Sequence, residues 1–311
     1  MKSALFAIGV TLALVERVVA WGDVGHEAVG YVAMEFLGTK AAAFVKKTVP
    51  SSYNYSLGPC ATWADTFKYE TGNAWSKALH FIDANDDPLG GSCSVVESRD
   101  CGSAGCLSTA IANYTSRVTD SSLSATQIEQ ALYFITHFIG DIGQPLHVEN
   151  YEYGGNDIDT VCAGEATELH ATWDTGMIVQ MVSQNYSGST TAWADALVAD
   201  IKTGTYKSDA AAWISCSSVT EPLSRRRTIE DDVRTVLAAN TTTPLACPMV
   251  WAQESNAYDC SNVFDYTTGD DLCTGAYFKA SIPIINLQIA KQGYRLAAWL
   301  NVIFDGSVSL P

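Results

Sequence analysis

A mainly α-helical single domain is the fold class this sequence predicts, on three observations. Apolar residues recur at helical spacing in segments 26–37, 126–142 and 283–304. Strand-like alternation is confined to a Gly-rich, polar stretch at 151–164, which has room for one short strand pair. No internal repeat or long low-complexity linker divides the 311 residues, and 47% hydrophobic content is ample for one core.

The chain opens with Met1-Lys2, an apolar run from Ala4 to Val15, and Val18-Val19-Ala20 ahead of Trp21. A basic start, a short apolar stretch and small residues at a break predict a secretory signal peptide over 1–20. Cleavage after Ala20 would leave Trp21 as the mature N-terminus. The run is shorter than the ~20 residues that span a bilayer, and Glu16-Arg17 interrupts the alternative of a buried helix. The domain is then 21–311, extracellular, with no membrane segment and no partner chain required.

Next, Ala28, Val29, Val32, Ala33, Phe36 and Leu37 predict a helix over 26–37 that Gly38 ends. Helices are also expected at 61–69 and 104–118. Segment 126–142 is apolar on nearly every face, which predicts a buried helix capped by Thr126 and stopped by Gly143-Gln-Pro145. Further helices are expected from Glu165 to Asp174, over 190–203, and over 283–304 with Pro283 in its first turn. The stretch 217–247 differs: Arg225-Arg-Arg227, an acidic run from Thr228 to Ala239 and a polar Asn-Thr-Thr-Thr-Pro read as a surface insertion. Cys216 and Cys247 bracket it, which suggests a disulfide-closed excursion. The arginines fit a solvated face or a processing site.

All nine cysteines follow the leader, as an oxidising compartment predicts. Cys101 and Cys106 are close enough to close a local loop, and the odd count leaves one thiol over. A thiolate zinc site lacks the two close cysteine pairs it needs. Sequons at Asn54, Asn113, Asn185 and Asn240 agree with secretion. The net charge of −16 argues against a protein that coats nucleic acid through a basic face, though a local cluster of cations would still draw a phosphate in.

The chemistry lies in the five histidines. His137 and Asp141 are four residues apart on the buried helix, so both project from one face. His170 and Asp174 repeat that spacing, with His147 between the pairs. His26 sits five residues after Trp21, and His80 follows Trp63-Ala-Asp65 in Leu-His-Phe-Ile-Asp83. Burying such groups is costly unless they are paired or bind a metal, and imidazole with carboxylate suits zinc. A His-Asp pair also orients serine nucleophiles, but no Gly-x-Ser-x-Gly elbow is present.

These residues fall in motifs that resemble the S1/P1 nuclease family, secreted zinc-dependent nucleases that prefer single strands. They are Trp21-Gly-Asp-Val-Gly-His26, Ala61-Thr-Trp-Ala-Asp65-Thr-Phe-Lys68-Tyr69, His80-Phe81-Ile-Asp83-Ala84 and Arg99-Asp-Cys-Gly-Ser-Ala-Gly-Cys106. The set continues with His137-Phe-Ile-Gly-Asp141-Ile-Gly-Gln-Pro-Leu-His147, Gly154-Gly-Asn156, His170-Ala-Thr-Trp-Asp174 and the run from Ala290 to Leu300. The resemblance implies a helical domain of the phospholipase C/P1 nuclease type with three Zn2+ in a cleft. It implies one ion on Asp65, His80, His137 and Asp141, and a second on His147, His170 and Asp174. The third would take the Trp21 amino nitrogen and carbonyl oxygen, His26 and the bridging Asp141.

The implied activity is endonucleolytic hydrolysis of single-stranded DNA and RNA to 5′-phosphate products, with 3′-mononucleotides as further substrates. Asp65 would orient the attacking water and Lys68 would meet the developing charge. Phe81, Asp83, Tyr153 and Asn156 would receive an unpaired base. The resemblance also implies Cys93–Cys260 and Cys101–Cys106 disulfides, whereas Cys60, Cys162, Cys216, Cys247 and Cys273 depart from the shared framework. A zinc phospholipase C is the rival enzyme; the short spacing from Trp21 to His26 and the final carboxylate at Asp174 favour the nuclease. A non-catalytic secreted zinc-binding protein would leave Asp65 and Lys68 without a task. The protein is expected to be a monomer.

Overall fold

The computed structural model describes residues 21–216, 246–308 and 310. The expected leader, the charged run 225–239 and the sequon at Asn240 lie outside them. Nine principal helices build the described part: α1 (Asp23–Met34), α2 (Thr39–Thr48), α3 (Trp63–Phe67), α4 (Leu107–Arg117), α5 (Ala125–Asp141), α6 (Met177–Tyr186), α7 (Thr190–Lys202), α8 (Ala246–Asn256) and α9 (Gly275–Asp305). A single antiparallel pair, β1 (Asp159–Cys162) and β2 (Glu165–Glu168), completes them. The expected mainly helical class is what the chain forms.

Helix α5 is the central rod. Ser124, not the expected Thr126, caps it: its hydroxyl accepts from Gln127 N while the Gln127 side chain accepts from Ser124 N. Such a reciprocal cap contributes about 1 kcal/mol. Every residue from Ala131 to Asp141 is buried, so the polar groups at 136, 137 and 141 must find partners inside the protein. Helix α4 packs along α5 and stacks Tyr114 on Phe134 at 4.3 Å. Helix α1 lies against α9 and α7, and Gly293 lets α9 approach close to Val32.

Three expectations shift. The segment from Glu165 begins as strand β2 and turns helical only at Leu169. Ala163 and Gly164 both take positive φ (53° and 86°), which closes a two-residue hairpin, and the Asp271 carboxylate accepts from both of their N–H groups. Helix α9 starts at Gly275, two turns before Pro283. The Tyr277 hydroxyl on Val263 O and Asn262 on Ser281 hold that extension in place, so packing overrides the proline signal. The first helix begins and ends three residues earlier than expected, at Asp23 and Met34.

Disulfides join Cys93–Cys260, Cys101–Cys106 and Cys216–Cys247, as expected, and also Cys162–Cys273. The leftover thiol is Cys60, fully buried, where desolvation pushes its titration up. Among the described residues no helix is long and apolar enough to cross a membrane. Asn54, Asn113 and Asn185 are all exposed.

Candidate metal centre and cleft

Helix α5 delivers His137 and Asp141 from one face, and the other ligand-type residues gather around that pair. His26, in the first turns of α1, stacks on the His137 ring at 3.8 Å. Gly140 permits this approach, because any side chain there would strike the His26 imidazole. Helix α3 supplies Asp65. The 3-10 turn Ala74–His80 ends on His80, and the turn Pro145–Val148 carries His147. His170 and Asp174 come from a short helix that widens into a π turn over Thr172–Gly176. A π turn shifts the side-chain register locally and is frequent at functional sites.

All five histidines and the three aspartates are at most 7% exposed. Asp141 sits at the junction. Its Oδ2 lies 3.1 Å from His80 Nδ1 and 3.2 Å from His137 Nε2, while its Oδ1 lies 3.2 Å from His26 Nε2 and 3.7 Å from His147 Nδ1. Asp65 Oδ1 is 3.5 Å from His137 Nε2 and 3.7 Å from His80 Nδ1. Asp174 Oδ2 is 3.0 Å from His170 Nε2. Three sets have donor atoms close enough to share an ion: His26, Asp65 and His137; His80, His137 and Asp141; His147, His170 and Asp174. The indole of Trp21 is buried, and its N–H donates to Gly140 O at 2.9 Å, which ties residue 21 to α5. Gly22 N donates to Asp174 O at 2.7 Å, so the same segment also meets the third set.

The backbone fixes the imidazoles. The Nδ1–H groups of His137, His147 and His170 donate to the carbonyls of Ala61, His80 and Gly154 at 2.6, 2.8 and 2.7 Å. With Nδ1 committed, neutral His147 and His170 present lone pairs at Nε2, and those two atoms face each other at 3.2 Å. Such a pair requires a cation between the rings, either a proton or a metal ion. His26 Nδ1 and Nε2, Asp65 Oδ2, His80 Nε2, Asp141 Oδ1 and Asp174 Oδ2 are buried and lack a hydrogen bond. Unsatisfied groups in this number and this close together fit metal ligation.

Without ions the cluster balances its own charge. Burial alone would raise Asp65 and Asp141, but the positive His137, joined by Lys68 at Asp65, holds both below the usual carboxylate range. Burial would lower His137, but Asp141 and Asp65 outweigh it and push the ring up to about 10. His80 goes the other way, to about 4, because its desolvation prevails. Lys68 is only 8% exposed, and its Nζ donates to Asp65 Oδ1 at 2.6 Å. A surface role for this lysine is thereby excluded.

Beside the centre opens a cavity of about 430 Å³. Lys68, Phe81, Asp83, Tyr153 and Asn156 all line it, with His80, His147 and His170 at its base. Tyr153 is 77% exposed and, like Glu152 before it, adopts a left-handed backbone. Its carbonyl accepts from Asn156 Nδ2 at 2.6 Å. Burial, then Asp100, raises the Asp83 carboxyl above its usual range. Three neighbours escape sequence reasoning. Gln144, read as part of a helix stop, donates to Asp174 Oδ1 at 2.6 Å. Lys77 and Glu149 also line the cavity, and no motif signal marks either.

The family profile described as S1/P1 Nuclease matches residues 21–305. Nuclease S1 from Aspergillus oryzae is 40% identical over 297 residues, which cover 94% of this chain and 95% of that protein. Nuclease P1 from Penicillium citrinum is 39% identical, covering 93% of this chain and all of the relative. Endonuclease 2 from Arabidopsis thaliana is 32% identical across 91% of this chain and 90% of its own length. The chain belongs to the S1/P1 nuclease family.

Proposed function

We propose that this chain is a secreted endonuclease with three zinc ions that hydrolyses single-stranded DNA and RNA to 5′-phosphate products and also acts on 3′-mononucleotides. The observation that carries this reading is the set of facing imidazole nitrogens and orphaned carboxylate oxygens at the base of a cleft lined by a buried lysine and an exposed aromatic. Asp65, His80, His137 and Asp141 would hold one ion, and His147, His170 and Asp174 a second. Trp21, through its amino and carbonyl groups, would hold the third with His26 and Asp141. Nitrogen and oxygen donors suit zinc. Zinc in such sites supplies a Lewis acid for phosphate oxygens and lowers the pKa of water to near neutrality.

The protein groups supply the rest. Asp65, kept ionised against its burial by His137 and then Lys68, accepts a hydrogen bond from the attacking water and aims it at phosphorus. Lys68 donates to the non-bridging oxygens as negative charge grows on them. The bond to the 3′-oxygen breaks, so the phosphate stays on the 5′ side. Phe81 offers a stacking face, Asp83 accepts from a base amino group, and Asn156 with Tyr153 closes the opposite rim. A paired base has both its faces and its edge occupied, which is why an unpaired one is preferred.

The test is to incubate purified protein with single-stranded DNA, RNA, 3′-AMP and phosphatidylcholine, with and without chelator. Chelator-sensitive release of 5′-phosphate products from the nucleic acids is expected, and release from the lipid alone would overturn the assignment. Secretion enters through residue 21: an uncleaved chain has an amide nitrogen there, a poor zinc ligand. A variant with one residue added before Trp21 should bind one ion fewer and lose most activity; full zinc content and full activity would sink that part of the reading. The family match beginning at residue 21 supports it.

A further inference from the structure

Two cavities in this protein share a wall. The metal cleft is bounded on one side by Lys68, Tyr69 and Lys77. A second cavity, of about 290 Å³, is lined by Phe67, Trp75, Tyr114, Arg117 and Phe134 among others. The chain alternates between them. Phe67 and Trp75 open on the second cavity, while Lys68, Tyr69, Lys77 and His80 open on the first. The partition is therefore the end of α3 together with the turn Ala74–His80, and its crest is Lys77 over the Tyr69 ring, 4.9 Å from the centroid.

The far side of the partition has the makings of a nucleotide platform. Trp75 is 53% exposed, although its ring is braced by Phe67 at 6.1 Å and Phe134 at 6.3 Å. A braced, half-exposed indole is a stacking surface that costs little to order. Lys77 and Arg117 form no ion pair among the described residues. Cations that alternate with aromatic faces match the alternation of phosphate and base along a single strand.

We infer that a single strand seated in the metal cleft runs on over the Lys77–Tyr69 crest, so that a nucleotide outside the cleaved step stacks on Trp75 while Lys77 and Arg117 meet its flanking phosphates. The inference rests on the nuclease reading of the cleft. It makes long strands better substrates than short ones, through binding.

The experiment compares a single-stranded DNA dodecamer with a dinucleotide as substrates of the zinc-loaded enzyme, in wild type, Lys77→Gln, Arg117→Gln and Trp75→Ala. The ratio of kcat/KM, dodecamer over dinucleotide, should fall roughly 5- to 20-fold in Trp75→Ala, through KM, as expected for one lost stacking contact. Trp75→Phe should recover most of it. Each cation variant should flatten the salt dependence of the dodecamer KM by about 0.7 in log–log slope. Equal losses on both substrates would mean a structural effect and overturn the inference, as would an unchanged ratio in all variants. Asn113 also borders this cavity and heads a sequon, so a sugar is the competing occupant. If Trp75→Ala alters only the thermal stability of the glycosylated protein and not the dodecamer KM, the cavity serves the sugar and the inference falls. A wild-type enzyme that leaves the dodecamer intact would instead reject the nuclease reading itself.

Discussion

Two groups of carboxylates, each drawn from distant parts of the chain, meet opposite fates. Asp65, Asp141 and Asp174 share their burial with five histidines and Lys68. Asp86, Glu149 and Asp259 share theirs chiefly with one another and with Asn256. In the first group the cations win over desolvation, so Asp65 and Asp141 stay ionised. In the second, burial raises Glu149 to about 7, and the negative Asp86 adds to that rise although Tyr151 and Asn150 donate backbone N–H groups to Glu149 Oε1. Burial, then Glu149 and Asp86, drives Asp259 well above the carboxylate range. Both Asp259 oxygens and Asp86 Oδ1 lack a hydrogen bond. Burial sets the cost of a carboxylate, and the neighbours decide whether a cation or a proton meets it. Only the first group is prepared to take up metal ions.

The largest expected effect breaks the first group at its junction. Asp141→Asn keeps the shape but removes the charge that touches His26, His80 and His137. Metal content measured by elemental analysis should drop, and nuclease activity should fall roughly 10³-fold or more. Near-normal zinc and activity would show that Asp141 bridges nothing. A smaller effect is expected one layer out. Gln144→Ala removes the donor to Asp174 Oδ1, so affinity for one ion should weaken roughly 10- to 100-fold, the range for groups that orient a ligand. A competition titration against a chelator reads this, and an unaltered affinity would assign Gln144 to packing alone.

The smallest effect concerns the second group and appears as a slope. A carboxyl raised in the folded state keeps a proton that the unfolded chain has released. Its stability contribution is complete below the unfolded value near 3.8 and fades as pH climbs towards the folded one. Asp259→Asn cannot ionise, so between about pH 5 and about pH 8 its Tm should decline less than that of the wild type. Parallel curves would mean that Asp259 is ionised in the folded protein as it is in the unfolded chain. For the depressed Asp65 the sign reverses: its contribution to the metal-free protein is present above 3.8 and is lost on acidification. The two groups pull the stability profile in opposite directions.

How much of this was legible in the sequence follows the range of each interaction. The His-x3-Asp pairs were readable because four-residue spacing on a helix is a local fact, and α5 announced itself by being apolar all round. Lys68 had a role only through the family resemblance; its burial against Asp65 depends on how α3 packs. Gln144 looked like punctuation after a helix, since its partner lies thirty residues away. The Cys162–Cys273 bridge spans 111 residues, and the Asp86, Glu149 and Asp259 group draws on three well-separated segments, so both lie beyond any periodicity. Strand β2 reads as helix from sequence because the groups that decide it, the left-handed Ala163 and the distant Asp271, carry no helical or strand pattern.

The three carbonyls that accept from His137, His147 and His170 have a consequence for divergence. A side-chain acceptor can be deleted by one substitution, whereas a carbonyl belongs to every residue and disappears only if the chain changes course. Position 61 can therefore vary, within the room its buried site leaves, and still steer the His137 ring, whereas position 154 is held to glycine by its left-handed backbone and by Leu146 O, which lies 2.6 Å from where a Cβ would sit. Drift in the surrounding sequence is tolerated as long as the path of the chain is kept. His80 is constrained in another way, because it contributes its ring to one set and its carbonyl to His147 in another. A substitution there that bends the backbone would disturb two sites at once.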